Sequence, residues 1–332
     1  MTQLERMTFS KAINAGLRRT LEADPKVILM GEDIGMLGGV FRVTEGLQKD
    51  FGADRVVDTP LAESGIVGTA IGLALRGYRP VLEIQFDGFI FPAFNQITSQ
   101  LAKVSYRSRG RLHAPVVIRV PYGGNIGAIE HHSESPEVLF AHTAGLRVVS
   151  PATPADAFVM IQQAVASPDP VLFFEPKARY WDKGEVDLGL TITAADVVAI
   201  DKARIARGGT DLTIAAYGAT VSIALKAAES AAREGVSVEV VDLRSISPLD
   251  ADTLVTSVRK TGRCIVVHEA PVFYGAGGEI AATVTEACFF QLQAPVLRVG
   301  GFHTPYPVNK LEATYLPGLD RILDAVDRAM AY

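Results

Sequence analysis

Glu63 stands at the mouth of a run with almost no polar side chain until Arg76. From Gly65 to Leu75 the residues are mostly Gly, Ala, Ile, Leu and Val, with Gly65, Gly68 and Gly72 at helical spacing, so neighbouring backbone can approach closely. The run predicts a helix over 64–77, buried all round and closed by Gly77 in a left-handed cap. After Pro80 an apolar strand over 81–84 follows. A carboxyl flanked by so much apolar helix sheds water and can hold or donate a proton near neutrality. The plainer alternative is an acid stabilised by the positive end of its helix, with Ser64 or Thr59 as cap. On this stretch alone that alternative weighs more, because helix-terminal acids outnumber catalytic ones.

The second chemical stretch is Tyr122-Gly-Gly-Asn-Ile-Gly-Ala-Ile-Glu-His-His-Ser-Glu-Ser-Pro-Glu. Three glycines free its backbone, and His131 and His132 sit on a loop rising from a strand end, where α/β proteins place chemistry. A metal site built from Glu130, His131, His132, Glu134 and His142 is the rival reading. Adjacent histidines in an extended loop point apart, and no His-x-x-x-His or Cys pair supports them, so no metal is assigned. A third acid, Glu32, follows a short strand in Gly31-Glu-Asp-Ile-Gly, where a solvated loop acid is the equally weighted alternative.

The elements that must carry these residues alternate. Helix 8–23, strand 27–30, helix 64–77, strand 81–84, a helix with Phe94, Ile97, Leu101 and Val104 on its buried face, strand 116–120 ended by Pro121, strand 148–151, helix 154–165 and strand 170–177 predict a mostly parallel sheet covered on both faces. Phe91 and Phe94 read as core packing. From Trp181 to Asp201 the chain turns charged and reads as a linker, including Thr191-Ile-Thr-Ala-Ala-Asp. The pattern then restarts with strands at 212–216, 237–243, 264–268 and 296–299 and helices at 220–234, 250–260, 276–289 and 319–330. The fold class is α/β in two domains, residues 1–184 and 205–332, joined by 185–204.

With 332 residues, two domains are the default. A net charge of −5 offers no attraction to nucleic acid or to an anionic membrane. Cys264 and Cys288 lie in apolar segments and read as buried thiols of a reducing compartment. Met1 to Lys11 lacks an apolar run, and no apolar stretch reaches the ~20 residues that span a bilayer, so a soluble, cytoplasmic protein is expected. The mean hydropathy of +0.22 suggests apolar surface buried between subunits. Gly-x-Gly-x-x-Gly and Gly-x-Ser-x-Gly are absent, which argues against a nicotinamide oxidoreductase and a serine hydrolase.

Asp58-Thr-Pro-Leu-Ala-Glu-Ser-Gly, Glu83-Ile-Gln-Phe and Phe91-Pro-Ala-Phe-Asn-Gln resemble the beta subunit of the thiamine-diphosphate-dependent, decarboxylating component of 2-oxo acid dehydrogenase complexes. Glu239-Val-Val-Asp-Leu-Arg-Ser-Ile-Ser-Pro and Gly262-Arg-Cys-Ile-Val-Val-His-Glu-Ala-Pro resemble the C-terminal domain of transketolase-like proteins. There Arg244 and His268 read as satisfied structural groups. The resemblance implies that Glu63 hydrogen-bonds the 1′ nitrogen of the aminopyrimidine and favours its imino tautomer. It implies that Phe89 packs on that ring, that Gln85 and Leu61 line the same pocket, and that Glu32 lines a polar passage between paired active sites. It further implies that His132 serves as acid and base when the intermediate passes to the lipoyl group of an acyltransferase core. His131 receives no role. The family's potassium ion is left open, because Ala164, Ser167, Asp169 and Ala114 to Val117 differ from its pattern in several side chains.

Thiamine enzymes hold magnesium and diphosphate with Gly-Asp-Gly followed downstream by Asn, and this sequence contains no Gly-Asp-Gly. An unpaired buried diphosphate is prohibitive, so another chain must supply that half. The expectation is an alpha2beta2 heterotetramer with the Mg2+ held mainly by the alpha subunit and a 2-oxo acid as substrate. Glu83-Ile-Gln-Phe-Asp-Gly-Phe-Ile-Phe-Pro-Ala-Phe and His132-Ser-Glu-Ser-Pro-Glu look more like branched-chain members than pyruvate members. A non-catalytic scaffold subunit is the competing reading.

Overall fold

The computed structural model describes residues 3–190, 192 and 194–332. The first unit runs β1 (Leu4–Thr8), α1 (Phe9–Ala23), β2 (Val27–Gly31), α2 (Leu47–Phe51), β3 (Val56–Asp58), α3 (Glu63–Leu75), β4 (Arg79–Glu83), α4 (Val104–Arg107), β5 (Val117–Tyr122), α5 (Glu137–Ala141), β6 (Arg147–Val149), α6 (Pro154–Ala166), β7 (Val171–Pro176) and β8 (Lys183–Asp187). The second runs β9 (Arg204–Arg207), β10 (Leu212–Ala216), α7 (Thr220–Arg233), β11 (Val238–Asp242), β12 (Ser245–Ser247), α8 (Ala251–Thr261), β13 (Cys264–Pro271), α9 (Ala276–Cys288), β14 (Leu297–Gly301), α10 (Asn309–Tyr315) and α11 (Leu319–Met330).

Strands of the first sheet lie in the order β12-β6-β7-β5-β4-β2-β3, parallel except where β12 meets β6. Alternate residues of one strand feed opposite faces, as the pleat requires. Val117, Val171 and Phe173 pack with α1 and α6, while Ile118, Leu172 and Phe174 pack with α3 and the turns after β4. Burial of each such side chain is worth about 1.5–3 kcal/mol. Helix α1 begins where the Thr8 side chain accepts the Lys11 N–H, and it buries Ile13, Leu17 and Leu21. The second sheet, β14-β13-β10-β11-β9, is parallel except for β9, with α7 and α11 on one face and α8 and α9 on the other.

Several expectations change. Helix α3 is not buried all round: Ser64, Gly65, Thr69, Gly72 and Leu75 are exposed, because no element among the described residues covers that face. Strand β5 continues through Pro121, opposite Glu175 of β7, because β4 pairs with β5 only as far as Arg119 and the strand has an open side at the proline. Phe91 is 41% exposed, whereas Phe94 packs on Phe140 with ring centroids 5.4 Å apart. The expected linker carries structure. Strand β8 crosses position 184 and pairs antiparallel with β1, and the 3₁₀ turns at Ala194–Asp201 dock on α6, where Gln163 donates to the Asp196 carbonyl. Thr191 and Thr193 lie outside the described residues. Strand β12, inside the second unit by sequence, forms the edge of the first sheet, so the two units interlock. No helix among the described residues is long and apolar enough to cross a membrane.

Candidate active site

Strand β2 has β3 on one side and β4 on the other, so a crevice opens at their carboxyl ends, where chain direction across the sheet reverses. Glu32 follows β2, Glu63 follows β3 and Gln85 follows β4. Gln85 bridges the crevice by donating to Asp33 Oδ2 at 3.2 Å. Glu63 is the first residue of α3, where the helix dipole favours a carboxylate, and it is only 8% exposed. Glu32 is equally buried. Burial, then the Glu63 and Asp33 carboxylates, push the Glu32 carboxyl above its ordinary range, while the Ala62 amide partly offsets this. Glu32 Oε1 is buried and meets no partner among the described residues. An orphaned acceptor beside a second carboxyl is a place where an outside donor fits.

The aromatic wall comes from the segment after β4. Phe86 lies flat against His132, with ring centroids 3.9 Å apart and planes 26° from parallel. Phe89 meets His132 edge-on at 5.2 Å and also Phe86 at 5.8 Å. His132 Nδ1 lies 3.0 Å from the His131 carbonyl oxygen. A carbonyl only accepts, so Nδ1 carries the hydrogen and Nε2 is the atom free to exchange a proton. His131, given no role by sequence, lies 6.2 Å from the Phe89 ring. Gly88 explains the fit: a Cβ there would stand 2.4 Å from the His131 carbonyl oxygen.

Leu61, in the turn before α3, is 79% exposed among the described residues. Structure thus puts Glu63 near Glu32, ties Gln85 to Asp33 next to Glu32, and joins Phe89 to His132 by ring contact, while Leu61 stays exposed. Around the segments where the family's potassium was left open, several oxygens accept from protein donors. Val116 N–H donates to the Ala114 carbonyl, Val171 N–H to Val116, Arg79 to Ser167, Ser167 Oγ to Asp169 O and Arg147 to the Asp169 carboxylate. Among the described residues no three His, Cys, Asp or Glu side chains gather to hold a metal.

Sequence reasoning missed the charged floor under the site. Arg119, 1% exposed, donates from Nη1 to Glu83 at 2.6 Å and from Nε and Nη2 to Glu175 at 2.6 and 3.0 Å, and Tyr180 adds its hydroxyl to Glu175 at 2.7 Å. Lys177 Nζ donates to Asp87 at 2.5 Å with both side chains fully buried. Burial pushes the Asp87 carboxyl up and the Lys177 ammonium down, each partly offset by the other. The available signal was a charge inside an apolar strand, as in Val-Ile-Arg-Val and Phe-Phe-Glu-Pro-Lys. Arg244 pairs with Asp156 at 3.5 Å, and buried His268 has Nδ1 2.9 Å from the Ala270 carbonyl, while Arg244 Nε and His268 Nε2 meet no hydrogen-bond partner among the described residues, so neither is the fully satisfied group expected from the sequence.

Residues 5–182 match the transketolase pyrimidine binding domain, and residues 201–322 match the transketolase C-terminal domain. The chain is 61% identical over 330 residues to the pyruvate dehydrogenase E1 component subunit beta of Leifsonia xyli, covering 99% of this chain and 96% of that one. It is 52% identical over 325 residues to the 3-methyl-2-oxobutanoate dehydrogenase subunit beta of Mycobacterium tuberculosis, covering 98% and 92%. Among solved structures, a split-gene transketolase described as an inactive beta4 tetramer shares the fold, with a TM-score of 0.78, 23% identity and 98% of both chains covered. Two transketolase-like domains and relatives matched over nearly their whole length lead to one conclusion: the chain belongs to the family of 2-oxo acid dehydrogenase E1 component beta subunits.

Proposed function

We propose that this chain supplies the pyrimidine half of a thiamine diphosphate site and works with an alpha subunit in oxidative decarboxylation of a 2-oxo acid. The observation that carries the reading is Glu63, buried at the start of α3 beside Glu32 in the strand-end crevice, with Leu61 exposed in the turn before the helix. When bound, thiamine diphosphate supplies the carbanion-type carbon that attacks the 2-oxo group. Glu63 holds a proton at the pyrimidine nitrogen. Phe89 offers an apolar ring to pack on the cofactor, and Gln85 keeps the Glu32 turn in place. His132 Nε2 gives or takes a proton as the acyl group moves to a lipoyl-bearing acyltransferase.

The alpha subunit brings the cation and the donors for the diphosphate. Exposed apolar side chains such as Leu61, Tyr106, Tyr274 and Phe290 fit a chain that buries surface against partners. Cys264 and Cys288 are buried free thiols, which fits a reducing, cytoplasmic setting. Branched-chain 2-oxo acids are the proposed substrates, on the stretches Glu83–Phe94 and His132–Glu137. Pyruvate is the second reading, favoured by the 61% identity to a chain bearing that name.

The test is reconstitution with the alpha subunit. Glu63→Gln should lower turnover by about a hundredfold or more with assembly intact, whereas a scaffold subunit would tolerate it. Rates with 3-methyl-2-oxobutanoate and with pyruvate decide the substrate. The chain alone, free of alpha subunit, should be inactive, and full activity there would sink the split-site reading.

A further inference from the structure

We propose that Asp87, held by Lys177, is a positioning residue for His132: its carboxylate fixes the neck of the loop that carries the histidine. The loop closes where Gly123 N–H donates to the Glu134 carbonyl at 2.9 Å. Glu134 N–H in turn donates to Asp87 Oδ2 at 2.9 Å, so both backbone groups of this residue, two positions after His132, are tied. Asp87 Oδ1 takes the Lys177 ammonium, which also reaches the Pro121 carbonyl at 3.5 Å. The residues flanking Asp87 meet the same loop. Phe86 lies under the His132 ring, Gly88 abuts the His131 backbone and Phe89 meets both imidazoles. The far side of the loop is held by the second domain, where Glu269 accepts the Gly124 N–H at 3.0 Å and Glu312 the Asn125 N–H at 2.7 Å.

An ion pair buried this completely adds little net stability, because desolvation offsets the attraction, and an apolar pair of equal volume would pack as well. What an apolar pair lacks is an acceptor for the Glu134 N–H, and an orphaned buried donor releases the segment that bears it. Lys177 comes from the end of β7, Asp87 from the turn after β4 and Pro121 from β5, so the neck is fastened to three adjacent strands of the rigid sheet.

The inference rests on the role of His132 proposed above, and the test separates the two. Two charge-balanced variants are reconstituted with the alpha subunit: Asp87→Leu with Lys177→Met, which removes the acceptor, and Asp87→Asn with Lys177→Met, which keeps it. Hydrogen exchange over 129–135 and acylation of a free lipoyl domain are read, with His132→Gln alongside. Exchange should rise about tenfold and acylation fall about tenfold in the Leu–Met variant, while the Asn–Met variant stays within about twofold of the parent on both. Unchanged exchange in the Leu–Met variant, or equal losses in both, overturns the proposal. If the Leu–Met variant does not assemble, Asp87→Ala with Lys177→Met, which also lacks the acceptor, is read in its place: a tenfold rise in exchange supports the proposal, and parent-like exchange overturns it. If His132→Gln acylates normally while exchange behaves as expected, the role of His132 falls and the positioning stands.

Discussion

His132 rests on Phe86 with ring centroids 3.9 Å apart, so a residue on the loop after β5 takes its orientation from the turn after β4. Phe86→Leu keeps an apolar side chain and removes the stack, which should cost about 0.5–1.5 kcal/mol of stability. In the reconstituted enzyme it should lower lipoyl acylation more than dye-linked decarboxylation. Equal losses in the two assays would show that the stack serves packing alone.

Arg119 is the cation between two buried acids, Glu83 and Glu175. Arg119→Met leaves both carboxyls without it and should cost about 3–5 kcal/mol in urea unfolding. Adding Glu83→Gln and Glu175→Gln to the same chain should recover part of that loss. No recovery would mean that Arg119 acts by volume rather than by charge.

Burial raises the Glu137 carboxyl to about 7, although the Tyr217 hydroxyl donates to it at 2.6 Å. A raised folded pKa means that the folded state binds the proton more tightly than the unfolded one. This carboxyl therefore makes stability fall as pH rises from its ordinary range through about 7, with a limiting slope near 1.4 kcal/mol per pH unit. Asp242, raised by burial and by Asp156 to about 7, acts in the same direction. The comparison is therefore between parent and Glu137→Gln: the parent should lose more stability between pH 5 and 7.5, measured by urea midpoints. Parallel curves would refute the assignment.

Gly123 has a φ of +80°, and a Cβ there would stand 2.4 Å from Glu269 Oε2. Gly123→Ala should destabilise the chain by about 1 kcal/mol or more. Exchange should quicken across the histidine loop, because the clash lies where the second domain grips it. Thermal unfolding together with exchange over 123–135 checks both parts.

Leu61, 79% exposed, should behave oppositely. Leu61→Ser should leave the stability of the isolated chain within about 0.5 kcal/mol of the parent. Sedimentation with the alpha subunit should show weakened assembly. Unchanged assembly would remove Leu61 from the interface.

The alternation of apolar strands and helices, the start of α3 at Glu63 and the histidine loop were all legible in the sequence, because each depends on short-range periodicity, caps and glycines. Helices α6, α7, α8 and α11 fall within a residue or two of where their patterns place them. Strands β1, β8 and β12 were not legible. Their pairings join distant segments, Leu4 with Asp187 and Ser245 with Val149, and a short half-exposed strand has no pattern of its own until its partner arrives. The same holds for the floor of the site. Arg119, Asp87 and Lys177 are single charges in apolar runs, and only the parallel register of β4, β5 and β7 brings each within reach of its counter-ion. The sequence by itself determined which residue types could do chemistry and which elements carry them. Tertiary structure decided which of them meet, because Coulomb attraction and hydrogen bonding act over a few ångströms and the chain separates these partners by dozens of residues.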